Sequence, residues 1–211
     1  MTSLVELARA TLTPLDAPAS FVSSQIIAPD VEETSADIDE WVALDPAVAR
    51  RMAEGGGQVV LRVGPGAGAL LDAPRLPGLS LEAVVSGHDL FALTEAAEAV
   101  LQALDAGVKI RAVLATGDTG IDAYRAAAQA RHILGTRVTI RVRWDDILDV
   151  KGAALALSFG ADELAGPLAP QQQRWKLAQV GGPAEDVTKP SPIYVESLIQ
   201  AAGRLPARRG S

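Results

Sequence analysis

IRAVLATGDTGIDAYRAAAQARHILGTRVTIRVRW, residues 110–144, decides the fold class. It opens with a β-rich run, Ile110 to Ala115, and passes through Thr116-Gly-Asp-Thr119 into a helix from Gly120 to Leu134. Thr119-Gly-Ile-Asp122 is a capping box, in which each side chain reaches a backbone amide that the first helical turn leaves free. Gly135 stops the helix. From Arg137 to Trp144 the pattern changes period: Val138, Ile140, Val142 and Trp144 share one face and the arginines take the other. Strand, helix and strand in that order imply parallel strands joined by a right-handed crossover.

Upstream, Val59–Val63 and Leu79–Val85 read as strands separated by a loop, Gly64 to Pro77. Asp89–Ala106 is the clearest helix, with Leu93, Ala97, Val100 and Leu104 on one side and Gly107 as its stop. Residues Asp37–Ala53 suit a helix interrupted near Pro46, or a second helix that starts at Pro46 with Asp45 as its cap. The first thirty residues, with three prolines, read as a lead-in or an edge strand. Downstream, a helix begins near Asp146 and runs toward Phe159, and shorter ones follow at Gln171–Leu177 and Pro192–Ala202. Four or five strands are visible, and a full eight-fold β/α barrel needs about 250 residues. The expectation is an α/β protein: a partial, incomplete β/α barrel, or an open, mostly parallel sheet with helices. Gly55-Gly56-Gly57 divides it into an acidic N-terminal segment, 1–57, packing on a barrel-like domain, 58–211.

Composition narrows the chemistry. The chain has 211 residues, 48% of them hydrophobic, and no cysteine, so disulfides, thiol catalysis and thiolate-held metals are excluded. Two histidines, His88 and His132, are too few for a histidine-rich centre, and no metal or other cofactor is expected. The charge of −7 sits in the first 57 residues, where ten acids face three bases; the remainder is balanced. That leaves no basic stripe for nucleic acid. Arg137, Arg141 and Arg143 read instead as one arginine-rich sheet face pairing with a ligand or with acids elsewhere. No apolar run is long enough to span a membrane, and the first residues lack the order of a signal peptide. A cytoplasmic protein is expected.

Three loops invite a site. Gly64-Pro-Gly-Ala-Gly68 resembles a phosphate cradle, but Pro65 removes an amide and Glu82 lies too early in the next strand for a dinucleotide fingerprint. Asp118 and Thr119 follow a strand at what would be a barrel's C-terminal rim, where they bind a polar ligand or cap the helix. Trp144-Asp145-Asp146 ends another strand at that rim, with one aspartate expected to cap the next helix.

The stretch Lys151-Gly-Ala-Ala-Leu-Ala-Leu-Ser-Phe-Gly-Ala-Asp-Glu-Leu-Ala-Gly166, behind the strand ending in Trp144, carries a resemblance. So does Ala202-Gly-Arg-Leu-Pro-Ala-Arg208 near the end. Both resemble radical S-adenosylmethionine enzymes of the futalosine route to menaquinone (aminofutalosine synthase and dehypoxanthine futalosine cyclase) and their deazaflavin-synthase relatives. The match runs from about Gly120 to Arg209, with weaker support back to Val59. Glu163 stands where the family usually has aspartate. The resemblance implies that Trp144, Asp162 and Glu163 belong to a substrate-facing part of a barrel, and adds Arg143 to Asp118 and Thr119 as ligand-binding candidates. It also implies a [4Fe–4S] cluster on a Cys-x3-Cys-x2-Cys loop, which a chain without cysteine cannot hold. The expectation is a truncated, cluster-free relative: a non-catalytic accessory linked to quinone or deazaflavin synthesis, partnered by a second copy or a complete radical enzyme. Alternatives are a cluster-independent lyase or isomerase using rim carboxylates, and a free-standing binding module for a polar small molecule.

Overall fold

The computed structural model describes residues 18–27, 38–169 and 189–209. Eight strands form one sheet: β1 (Pro18–Ile26), β2 (Glu40–Ala43), β3 (Val59–Val63), β4 (Leu79–Ser86), β5 (Ile110–Thr116), β6 (Ile140–Arg143), β7 (Glu163–Gly166) and β8 (Leu205–Arg208). All are parallel, in the order β2-β3-β4-β5-β6-β7-β1-β8, and β1 also pairs with β2. That pairing closes a ring of seven strands. β8 is a short eighth, running beside the lower half of β1 from Pro18↔Leu205 to Phe21↔Arg208. β2 takes the upper half, Ser24 to Ile26. The architecture is thus an α/β barrel short of the full eight-fold ring.

Six helices pack around it: α1 (Pro46–Glu54), α2 (Ala67–Leu71), α3 (Leu90–Asp105), α4 (Gly120–Leu134), α5 (Val150–Ala156) and α6 (Pro192–Ala201). Local chemistry fixes their starts. Asp45 accepts from the Ala47 amide, with Pro46 in the first turn of α1, and Asp89 accepts from Phe91 and Ala92 at α3. Thr119 and Asp122 form the expected capping box on α4. The α5 cap is Asp149, which accepts from Gly152, so this helix starts four residues later than the sequence suggests and neither Asp145 nor Asp146 caps it.

The apolar shell lies between sheet and helices. Leu61, Val63, Leu81, Val85, Val113, Ile140, Val142 and Leu164 point outward into it. The inner face of α4 is mostly alanine, Ala123, Ala126, Ala127 and Ala130 with Leu134 at its end, which lets the helix sit close to the strands. Gly87 marks the tightest approach: a Cβ there would meet the Asp122 carbonyl of α4.

Three readings need revision. Residues 40–43 are strand, not the first half of a helix, because Trp41 and Val42 register with β1 on one side and β3 on the other. The boundary expected after Gly57 falls inside the ring, since β1 and β2 precede it and belong to the same sheet as β3. The open-sheet alternative does not hold, because β1 pairs with β7 on one side and with β2 and β8 on the other; β8 has no second partner strand among the described residues. The helix expected at 171–177 lies outside the described residues. No helix among the described residues is long and apolar enough to cross a membrane.

Candidate functional site: the barrel lumen and its two mouths

Parallel register aligns the inward side chains. Glu163 faces Ser20 on one side and Arg141 on the other, Arg62 faces Glu82, and Glu40 faces Ser24. The lumen is therefore ionic. Arg141, fully buried, donates through Nη1 to Glu40 and to Glu82 (2.8 Å), through Nη2 to Glu40 (2.9 Å) and through Nε to Glu163 (2.8 Å). Arg111 joins Glu163 (3.0 Å) to Glu40 (3.3 Å), and Arg62 donates to Glu82 (2.7 Å). Ser20 Oγ and Arg209 Nη1 also donate to Glu163, at 3.0 and 3.1 Å.

Electrostatics follows from this wiring. Burial alone would push the Glu163 carboxyl up; the Arg141 and Arg111 guanidiniums outweigh it and hold it down at about 2. Glu82 is lowered against the same burial penalty, by Arg141 and Arg62. Burial disfavours the Arg141 charge, but Glu163, Glu82 and Glu40 together raise its pKa. Glu163 and Glu82 stay ionised at neutral pH and are poor proton donors or acceptors there.

Above the network, toward the C-terminal mouth, Arg143 is held by Asp145 in a two-pronged pair (2.8 Å each) and by Ser24 (2.5 Å to Oγ, 3.2 Å to the carbonyl). Thr116 donates to Asp146 (3.0 Å), and the exposed His88 Nδ1 lies 3.0 Å from Asp118. Exposed apolar side chains recur in the segments that follow the strands: Leu44, Leu71, Phe91, Ile121 and Ile147 come after β2, β3, β4, β5 and β6 in turn. Phe91 and Ile121 are the most open, at 71% and 60%.

The structure disperses the candidates named from sequence. Asp118 and Arg143 lie at the C-terminal mouth, and Thr119 there is engaged as a helix cap. Trp144 points outward, buried, donating from Nε1 to the Pro167 carbonyl (3.2 Å) and lying flat against Gly166. Asp162 precedes β7 at the opposite end, where it accepts from Arg131 and from the Ile140 amide (3.0 Å). Glu163 sits in the lumen. The sequence reading missed Glu40, Arg62, Glu82, Arg111 and Arg209. Its one available signal was a charge set inside an apolar strand, as in Leu61-Arg62-Val63 and Leu81-Glu82-Ala83.

No family model matches the sequence, and no curated protein does. Solved structures do match the fold. Methylornithine synthase (PylB) aligns with a TM-score of 0.56 at 12% identity, covering 97% of this chain and 89% of that one. HydG, a maturase of the [FeFe]-hydrogenase, aligns with a TM-score of 0.52 at 10% identity, covering 97% of this chain and 68% of that one. Both are radical S-adenosylmethionine enzymes. The iron–sulfur group of such enzymes does not fit here. The 211 residues offer no thiolate, and among the described residues no group of three or more His, Asp or Glu is placed to hold a metal. The fold of this chain is radical-SAM-like, and its donor set is not.

Proposed function

We propose that this chain is a cluster-free radical-SAM-like protein that works as a non-catalytic partner subunit, docking through its C-terminal mouth. One observation carries the reading: an exposed large apolar side chain recurs in each segment that follows the five successive strands β2 to β6. Singly exposed apolar residues are ordinary, whereas a set gathered on one face of a barrel reads as an interaction surface. The lumen argues in the same direction, because its carboxylates are engaged by arginine, and Glu82 and Glu163 are held ionised. Asp72, Asp118 and Asp146 lie on the same face, so the partner surface that fits is apolar at its centre and basic at its margin. The resemblance of residues 120–209 to the futalosine and deazaflavin enzymes nominates a complete member of that group as the partner, in quinone or deazaflavin synthesis.

The test is copurification of the tagged chain with such an enzyme, repeated with Phe91→Asp and Ile121→Asp. Both positions are solvent-facing, so the variants should keep the wild-type melting temperature and lose at least tenfold in affinity. Undiminished binding by the double variant removes the docking reading. Unchanged quinone and deazaflavin levels in a deletion strain remove the pathway link.

A second reading rests on the His88–Asp118 pair, an acid–base dyad on the face where barrel enzymes carry their chemistry. It expects turnover by the isolated chain that Asp118→Asn abolishes without unfolding.

A further inference from the structure

The opposite, N-terminal mouth holds a cavity of about 220 Å³, lined by Asp39, Glu40, Gln58, Ser80, Arg111 and Arg209 together with valines of β1 and β3. It lies where β8 and β3 flank the start of β2 without pairing to each other. This is not the face where barrel enzymes bind substrate, so it is a separate site from the rim described above.

Its charge is unbalanced. The linked lumen groups comprise four arginines, Arg62, Arg111, Arg141 and Arg209, against three glutamates, Glu40, Glu82 and Glu163. Arg208 and Asp39 beside them cancel. Among the described residues one positive charge is therefore left over, and Arg111 and Arg209 line the cavity. Arg209 is half exposed there, and among the described residues its one ion pair uses Nη1 alone. Arg111 points the same way: Nε and Nη2 are engaged, and its enclosed Nη1 has no partner among the described residues. The two carboxylates on the wall are already engaged. Glu40 receives Arg141 and Arg111, and Asp39 receives the Ser23 amide and Arg208. The cavity has donors in excess of acceptors.

We infer that this cavity binds a small organic monocarboxylate, its carboxylate on Arg209 beside Arg111 and a hydroxyl or keto oxygen on Ser80 or Gln58. The volume corresponds to roughly seven waters at the liquid density of about 30 Å³ each, enough for a hydroxy acid and too small for a nucleotide. A monoanion neutralises the single excess charge. A dianion such as phosphate would bring a second negative charge against Asp39 and Glu40.

The probes are lactate, glycolate and acetate, titrated at constant ionic strength against chloride and phosphate, with binding read by calorimetry and by thermal shift. Saturable binding of the hydroxy acids is expected, weaker binding of acetate, and none of chloride. Arg209→Gln is expected to weaken it at least tenfold and Ser80→Ala about threefold. Arg209 is half exposed, so its replacement should leave the circular dichroism spectrum unchanged. Should that variant fail to fold, the double variant Ser80→Ala with Gln58→Ala decides instead. Phe91→Asp, on the other mouth, should leave carboxylate binding intact, which separates this inference from the docking reading. Equal responses to chloride, or full binding by Arg209→Gln and Ser80→Ala, would overturn it; a cavity that holds only water gives no response and overturns it equally.

Discussion

Arg141 is the hub of the lumen, and its replacement tests what the ionic network contributes. Arg141→Ala strands Glu40, Glu82 and Glu163 without their main counter-charge, and removing one partner from a buried pair costs about 3–5 kcal/mol. Urea unfolding of the variant should show that loss, with the slope of the transition unchanged. The same groups set the acid limit. Glu163 titrates near 2 when folded, against roughly 4.3 for a free glutamate, so the unfolded chain takes up its proton first. Its contribution is complete above about pH 4.5 and drains away as pH falls toward 2. Melting temperatures measured across that window should fall steeply, and Glu163→Gln should flatten the dependence. These residues were hard to find from sequence for a physical reason. Arg141 and its acceptors lie 101, 59 and 22 positions apart along the chain, so no local pattern pairs them. What the sequence did show was an arginine face awaiting acids.

At the scale of elements, legibility tracked how local the determinants are. The α4 helix matches its expected bounds because cap, apolar face and stop glycine all lie within it. Thr119→Ala should cost about 1 kcal/mol through loss of that cap, measurable by denaturant unfolding. The strands β1, β2, β7 and β8 were obscured. Three of them are four residues long, and inward polar groups such as Ser20, Glu40 and Glu163 break the apolar run that signals a buried parallel strand. Only the closed ring makes those positions interior. Close packing between elements was equally hidden. Gly87→Ala would drive a methyl into the α4 backbone, which cannot move aside as a side-chain tip would, so a loss above about 2 kcal/mol is expected in the same assay.

For the whole molecule, the two mouths divide the surface between different chemistries: apolar and acidic at the strand ends, net cationic at the strand starts. A subunit that engages another protein at one end and a small anion at the other would make both events measurable on one chain, and the rim and Arg209 variants separate them. The barrel class was legible because strand–helix alternation dominates residues 59–144; closure was not, because it depends on β7 pairing with β1, 143 positions away at Ser20 and Glu163. Deleting residues 205–211 removes β8 and the Arg209 contact to Glu163. A fall in melting temperature of roughly 5 °C or more is expected.

The seating of β8 against β1 also bears on biosynthesis. β1 is made long before β8, so one flank of its lower half stays bare until residues 205–208 have emerged. Up to that moment nascent β1 presents free amides and carbonyls that any extended peptide could occupy. Closure of that flank therefore waits on synthesis through Arg208, and the interval before it is when a chaperone is of most use.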